Sequence, residues 1–115
     1  MRSELERLAF KNLMENESVR RWGDYLRALV KYDYAYDAVD RIAKSIDKIS
    51  FSQALYRAAR MGERVSKKAN EEGESVYIPS NEDTNEILRL ADENLKMVSN
   101  YLGICAFSYF GGREK

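Results

Sequence analysis

Apolar residues recur three or four positions apart through most of the chain, which is the period of helices that rest one face on a core. The third of these stripes is rotated by about 140° from the second at 100° per residue. One straight helix cannot turn both stripes toward the same core, so a turn is predicted within Lys31–Ala35. The three stripes are Leu5, Leu8, Ala9 and Leu13; Val19, Trp22, Leu26, Leu29 and Val30; and Tyr36, Val39, Ile42, Ala43, Ile46 and Ile49.

Capping residues mark two helix starts. The first helix is predicted to end near Asn16, after which Ser18 can cap the second helix. Ser80 and Asp83 have the spacing of a capping box. From Ser80 the last helix is predicted to reach about Phe110, roughly 43 Å at 1.5 Å per residue. Its last ten residues, Tyr101–Phe110, are apolar on nearly all sides and are predicted to be buried on several sides or to meet another chain.

The stretch between these helices predicts one continuous helix, beginning at Ser50 or Ser52 and ending near Glu72, with Gly73 as the terminating residue. Its apolar face is shallow and consists of Ala54, Ala58, Met61, Val65 and Ala69, with Leu55 at the edge. The pattern as a whole predicts an all-α fold, a compact bundle of about five helices with a long C-terminal helix. We expect it to form a single domain over residues 1–115.

Composition narrows the classes of protein to consider. No apolar run is long enough to span a membrane, so no membrane partner is expected. The first residues, MRSELERLAF, contain no apolar signal core, and Cys105 is the single cysteine. We therefore expect a cytoplasmic protein without disulfides.

The net charge is zero, but the charges are segregated along the chain. Residues 50–70 hold five basic and one acidic side chain, whereas residues 71–94 hold one basic and eight acidic side chains. Separated poles of this kind favour binding of an anion at one end and of a basic neighbour at the other.

The basic segment is the strongest candidate for a binding site. On a single helix its cations fall within an arc of about 100°, and the arginine fork suits phosphate. A row of phosphates along a nucleic-acid backbone matches such a row of cations, and Tyr56 beside it could stack on a base. The alternative is a solvated face that pairs with the acidic segment or docks an acidic partner. The candidate nucleic-acid-binding residues are Arg57, Arg60, Arg64, Lys67 and Lys68, with Arg20 and Arg21 as a smaller second basic spot.

Two further clusters favour structural roles. Tyr32, Tyr34 and Tyr36 alternate in KYDYAYD, which fits a base-stacking platform less well than half-buried tyrosines at a helix junction. Four aspartates share one helical face, but two of them precede Arg41 and Lys44 by four residues, the spacing of ordinary helix ion pairs. We therefore predict no metal site at Asp33, Asp37, Asp40 and Asp47.

The residue inventory does not favour an enzyme. The chain has no histidine, no phosphate-binding glycine loop and no zinc-ligand spacing. Cys105 lies on an apolar helix face, which is typical of a buried, unreactive thiol. We predict neither a catalytic residue nor a cofactor. A carboxylate-dependent hydrolase stays as a third hypothesis.

The second half of the chain, VYIPSNEDTNEILRLADENLKMVSNYLGICAFSYF, resembles the C-terminal region of the small subunit of archaeal type I-A CRISPR interference complexes. The shared features are an extended stretch, a Pro-Ser helix start, an acidic first turn and a long helix that ends in alanine and aromatic residues. FSQALYRAARMGERV is similar to that family's middle helix.

The resemblance implies a non-catalytic subunit that stacks in several copies within the complex. Its partners would be other subunits of the CRISPR ribonucleoprotein, copies of itself, and the backbone of single-stranded DNA or RNA, contacted through basic helix faces. The alternative is a helical protein–protein adaptor or homo-oligomer that does not bind nucleic acid.

Overall fold

The computed structural model describes residues 4–113, with side chains from residue 4 to residue 107, and it contains six helices and no strand in this range. The all-α class and the long C-terminal helix are confirmed. There are six helices rather than about five because the predicted helix over residues 50–72 divides in two. The helices are α1 (Glu4–Glu15), α2 (Glu17–Asp33), α3 (Tyr36–Ala43), α4 (Lys48–Ala59), α5 (Gly62–Glu71) and α6 (Asn81–Arg113).

Helix α2 forms the centre of the bundle, and α6 packs along it more extensively than any other helix. The stripe predicted for α2 is confirmed, since Trp22, Leu26 and Leu29 are fully buried. The two helices approach closely at Gly23, where an added Cβ would lie 3.0 Å from Cβ of Cys105. The radius of gyration is 13.9 Å, close to the ~13 Å of a compact domain of 100 residues.

The predicted turn between the second and third stripes is confirmed. Helix α2 ends at Asp33, and the next residue, Tyr34, has a left-handed backbone with φ of 53°. The amide of Ala35 then donates to the carbonyl of Leu29 at 3.1 Å. This turn points α3 toward the same core as α2, as the phase difference between the stripes requires.

Both outer stripes are shorter than predicted. Leu13 is buried, but Leu5 and Leu8 are exposed because only the last turns of α1 reach the core. Ile46 and Ile49 are also exposed, since α3 ends at Ala43, before the stripe reaches them. The helical period was correct for Leu5 and Leu8, whose predicted burial was wrong. The predicted continuation of one helical face to Ile49 was also wrong, because Ile46 lies outside the helices and Ile49 belongs to α4.

The capping box at the start of α6 is confirmed, but the other predicted caps are not used. The Asp83 amide donates to Ser80 Oγ at 3.1 Å, and the Ser80 amide donates to Asp83 Oδ2 at 3.2 Å. Asn16, not Ser18, caps α2, by accepting from the Val19 amide at 3.0 Å. Helix α4 is likewise capped by Asp47, which accepts from the Ser50 amide at 2.7 Å. The predicted end at Gly73 is confirmed by its φ of +77°.

The helix predicted over residues 50–72 breaks at Arg60 and Met61, whose ψ angles of −11° and −2° turn the chain. Helix α4 packs against α3 and α6, whereas α5 packs against α2. The Tyr25 hydroxyl donates to the Ala58 carbonyl at 2.5 Å and so satisfies the end of α4 from the core. Gly62 opens α5 under Ile78, which would lie 3.0 Å from an added Cβ.

Helix α6 is also interrupted, at Asn94, whose φ of −159° and ψ of 83° are not helical. The Asn94 side chain accepts from the Met97 amide at 3.1 Å and so acts as the N-cap of the second half. The predicted long last helix is therefore present, but it is not one uninterrupted run of roughly 43 Å. In this second half Leu102 is buried and Ile104 is exposed, while the side chains of residues 108–110 lie outside the described ones.

Candidate nucleic-acid interface

The break between α4 and α5 distributes the predicted row of cations over two helices. Arg57 lies in the last turn of α4, and Arg60 is its C-cap. Arg64, Lys67 and Lys68 lie on α5. A helical wheel drawn through one straight helix therefore does not describe their arrangement. The five cations do not all line one face, and their surroundings differ.

Two adjoining hollows run across α3, α4 and the turns that precede α3 and α5, with volumes of about 640 and 410 Å³. They share Asp37, Arg41 and Arg57 on their walls, so together they form one shallow groove, which we call the basic groove. Arg64 and Tyr34 lie at the end nearer α5. Lys44 lies at the other end, near the start of α4. The groove is also lined by carboxylates, so it contains charges of both signs, with more cations than carboxylates.

Asp33 at the end of α2 binds two of the predicted cations. Its carboxylate accepts from Arg64 Nη2 and from Lys68 Nζ, each at 2.6 Å, and its side chain is only 7% exposed. Burial opposes ionisation of Asp33, but the hydrogen bonds from Lys68 and Arg64 outweigh it and hold its pKa below the ordinary value. These contacts hold α5 against the end of α2. Part of the basic segment is therefore occupied within the fold.

The remaining three predicted cations make no ion pair within residues 4–113. Arg57 and Arg60 are exposed at the end of α4, and Arg57 lies on both hollows of the basic groove. Lys67 is exposed on α5, beside Glu63 and Glu71. It is one helical turn from Arg64 but lines a different hollow, away from Arg57 and Arg41.

Arg41 is a groove residue that the sequence did not single out. The sequence predicted two ion pairs at i, i+4 spacing, Asp37–Arg41 and Asp40–Lys44. The second is present, with Lys44 Nζ 2.9 Å from Asp40 Oδ2. Arg41 has no ion-pair partner in the described part of the chain and lies on the groove wall with Arg57. No local sequence signal separates the two pairs, because both have the same spacing.

The alternating tyrosines have three different surroundings. Tyr32 is buried, and its hydroxyl donates to Glu74 at 2.8 Å. The Tyr36 ring lies parallel to Phe107, with 6.3 Å between ring centroids. Tyr34 is 73% exposed and lines the basic groove. Tyr56, the aromatic residue predicted beside the cations, is exposed on α4 but does not line this groove.

Arg20 and Arg21 belong to a different region, near the start of α2. Arg20 pairs with Glu17 within the same helix. Arg21 donates to Asp83 at 2.9 Å and lies 5.6 Å from the centre of the Tyr77 ring. Arg21 is twelve residues before Asp33, which corresponds to about 18 Å along a helix. The second basic spot is therefore not part of the basic groove.

Asp83 is the anchor of that region. Its side chain is 4% exposed and accepts hydrogen bonds from Ser18 at 2.8 Å, from Arg21 and from the Ser80 amide. Burial opposes ionisation of Asp83, and these bonds, led by the one from Ser18, outweigh it and lower its pKa. The arrangement ties the start of α2 to the start of α6.

Within residues 4–113 no group of three or more histidine, cysteine, aspartate or glutamate side chains could hold a metal ion. Three of the four aspartates considered for a metal site have other partners. Asp33 binds Arg64 and Lys68, Asp40 binds Lys44, and Asp47 caps α4. Burial also raises the pKa of the Cys105 thiol, which disfavours its thiolate. None of the described helices is long and apolar enough to cross a membrane.

Comparison with known proteins places the chain in a family. No protein-family model matches it, and no solved structure matches it. The chain is 33% identical over 96 residues to the uncharacterized protein MJ0380 of the archaeon Methanocaldococcus jannaschii, an alignment that covers 81% of this chain and 75% of that protein. The chain therefore belongs to the same protein family as the uncharacterized protein MJ0380 of Methanocaldococcus jannaschii.

Proposed function

We propose that this chain is a non-catalytic small subunit of a type I-A CRISPR RNA-guided interference complex, that it stacks there in several copies, and that it contacts nucleic-acid backbone through the basic groove. The resemblance of its second half to such subunits supports the assembly. The observation that best supports nucleic-acid contact is that Arg41 and Arg57 line the same groove and have no ion-pair partner among the described residues.

The chemistry of this pair fits phosphate better than it fits a role in the fold. Exposed arginines that support a fold commonly have a carboxylate partner, as Arg64 and Arg21 have here. Arg41 and Arg57 come from different helices and lie on the walls of the same hollows. A guanidinium group can donate two parallel hydrogen bonds to a phosphate. The charge balance of the groove also improves when an anion enters.

The neighbouring cations extend this surface. Arg60 is exposed at the turn between α4 and α5. Arg64 binds Asp33 through Nε and Nη2, yet its side chain is 62% exposed. We assign the primary phosphate contacts to Arg41 and Arg57, with Arg60 and Arg64 at the edge. Four other cations have lesser parts in this proposal, because they line another hollow or are bound by a carboxylate: Lys67, Lys68, Arg20 and Arg21.

The test is fluorescence anisotropy of labelled single-stranded DNA, single-stranded RNA and duplex DNA at several salt concentrations. The variant Arg41→Glu/Arg57→Glu should bind more weakly than the natural chain. Its dependence of log affinity on log salt should be shallower by about 1.4 for two single-strand phosphate contacts.

The matched control is Lys11→Glu/Lys96→Glu, which changes the net charge by the same amount at exposed positions outside the groove. Equal weakening by both double variants would mean that net charge, not the groove, decides binding. Absence of binding by the natural chain at low salt would overturn the nucleic-acid assignment of the isolated protein.

A second function, a helical adaptor or homo-oligomer, is favoured by one observation. Leu5 and Leu8 on α1 are 79% and 56% exposed, on the same side of a helix whose other end is anchored by Leu13. An apolar stripe left in water suits contact with another protein. Sedimentation of Leu5→Lys/Leu8→Lys against the natural chain tests this, since a change of oligomeric state is expected only if α1 is an interface.

A further inference from the structure

Tyr34 occupies an unusual position in the basic groove. It is the most exposed of the alternating tyrosines, at 73%, whereas Tyr36, which lines the same hollow, is 43% exposed and lies against Phe107. Tyr34 lies on the wall of the hollow that also holds Arg41, Arg57 and Arg64. Asp33 and Asp37 line this hollow as well. An aromatic ring that is open to solvent and lines the same hollow as three arginines offers a flat apolar face beside phosphate-binding groups.

The backbone conformation at Tyr34 is one in which a tyrosine is unusual. Its φ of 53° lies in the left-handed region, which glycine and asparagine adopt far more readily than a tyrosine. The turn from α2 to α3 needs this conformation, but it does not need an aromatic ring there. The ring also gains little from packing, because it is mostly exposed. A strained, exposed residue in a candidate site points to a use in binding.

We infer that the basic groove takes a single strand of nucleic acid and that Tyr34 is its stacking residue. One unpaired base lies against the Tyr34 ring while phosphates on either side meet Arg41 and Arg57. Stacking on an aromatic side chain requires a base whose face is not covered by its neighbours, which a single strand provides and a continuous duplex does not. Every base has such a face, so the contact selects the form of the strand rather than its sequence. This inference rests on the proposed function.

The experiment compares two proteins with two strands. The natural chain and Tyr34→Asn are titrated against a labelled 12-nucleotide thymidine strand and against the same strand with abasic sites, as DNA and, with uridine, as RNA. Asparagine suits the left-handed backbone, so Tyr34→Asn should fold. The natural chain should bind the strand with bases about tenfold more tightly than the abasic strand, an effect within the usual range for base–aromatic stacking. Tyr34→Asn should lose most of this difference.

Two further variants distinguish the ring from the hydroxyl group. Tyr34→Phe and Tyr34→Trp both keep an aromatic face and should keep the preference for bases. Duplex DNA should bind the natural chain and Tyr34→Asn equally. The salt dependence of single-strand binding should also be the same in these two proteins, because the phosphate contacts are unchanged. A preference that appears only with DNA or only with RNA would identify which strand the groove accepts.

The outcomes separate the inference from the proposal beneath it. If the natural chain binds single strands with a clear salt dependence, but Tyr34→Asn keeps the full preference for bases over abasic sites, the stacking role is overturned and backbone contact stands. If Tyr34→Phe loses the preference together with Tyr34→Asn, the hydroxyl group and not the ring is responsible, and stacking is again overturned. If no strand binds, both the stacking role and the backbone contact fall.

Discussion

Asp33 and Asp83 are both nearly buried aspartates that bind arginine, yet they belong to regions with opposite character. Asp83 uses both carboxylate oxygens, and its donors come from α2, from Tyr77 in the extended segment and from Ser80 at the start of α6. Asp33 receives donors from α5 alone, through Arg64 and Lys68. Asp83 therefore joins three segments, whereas Asp33 fastens a single helix.

The exposure of the partners separates Arg64 from the other cations, since Arg21 beside Asp83 is 41% exposed. Arg64 and Lys68 remain 62% and 43% exposed although the carboxylate they share is buried. Both belong to the border of the region where Arg41 and Arg57 have no ion-pair partner in the described residues. Around Asp83, Arg21 is also paired with Glu17 at 3.7 Å and lies over the Tyr77 ring, so it has several partners within the fold. The same pairing of a buried carboxylate and an arginine thus closes one region, and in the other it leaves cations at the edge of an open groove.

The largest expected effect is the loss of stability in Asp83→Ala. This variant leaves the Ser18 hydroxyl, Arg21 and the Ser80 amide without their shared acceptor, and we expect it to lower the free energy of unfolding by about 3 kcal/mol. Asp33→Ala should cost only about 1 kcal/mol, because water can solvate the released cations. Urea denaturation followed by circular dichroism measures both. Asp24→Ala, at an exposed aspartate on α2, is the control and should change stability by less than about 0.5 kcal/mol. Equal losses at Asp33 and Asp83 would contradict the contrast.

Acid should reduce this difference between variants. The pKa values of Asp33 and Asp83 are both lowered in the folded chain. For each aspartate, the unfolded state therefore binds more protons than the folded state at pH values between the folded and the unfolded pKa. The stabilisation is complete above the unfolded pKa, about pH 4, and is lost as the pH falls through the folded pKa. The gap in urea midpoint between the natural chain and Asp83→Ala should shrink from about pH 5 to about pH 2. A gap of constant size over this range would show that Asp83 stabilises the fold by its shape rather than by its charge.

A smaller effect is expected on binding. If the basic groove contacts nucleic acid, Asp33→Ala should release Arg64 and Lys68 toward the ligand. Affinity for a single strand at low salt should then rise by about threefold, with a salt dependence steeper by about 0.7 for one additional phosphate contact. Anisotropy titration measures both quantities. Asp24→Ala makes the same change in net charge outside the groove, so an equal rise in that variant would attribute the gain to charge alone.

The fold could be predicted from the sequence where a local pattern determines the structure, and not where the sequence contains no such pattern. The phase change between two apolar stripes was sufficient to place the turn within Lys31–Ala35, where Tyr34 has the left-handed backbone. The break after α4 was missed because Ala58, Met61 and Val65 keep their helical spacing across it. Gly62, inside the predicted helix, was the available signal, since glycine lowers helix stability. Capping by Asn94 was overlooked for the same reason, because an apolar stripe continues on both sides.

The candidate site was predicted only in part. Arg57 and Arg64 were selected from the density of positive charge, and both line the groove. The binding of Arg64 and Lys68 by Asp33 joins positions 31 and 35 residues apart, which no local pattern shows. Arg41 was assigned to an ion pair because its spacing from Asp37 is the same as that of Lys44 from Asp40. Which of two equivalent pairs forms is decided by the packing around α3, not by the sequence of α3.

The smallest expected effect concerns the strain on the open side. Near Asp83 the helix start has a regular capping box, whereas the groove holds Tyr34 in a left-handed backbone. Tyr34→Asn should raise the free energy of unfolding by about 0.5 kcal/mol, since asparagine adopts this conformation at lower cost and little packing is lost from an exposed ring. Urea denaturation at neutral pH measures the change, and Tyr56→Asn, at another exposed tyrosine inside a helix, should not be stabilising. A gain in stability at Tyr34 combined with weaker single-strand binding would mean that the groove keeps a less stable residue for its ligand. A loss of stability would instead mean that the Tyr34 ring supports the turn from α2 to α3, and the contrast between a closed region and an open one would then rest on the ion pairs alone.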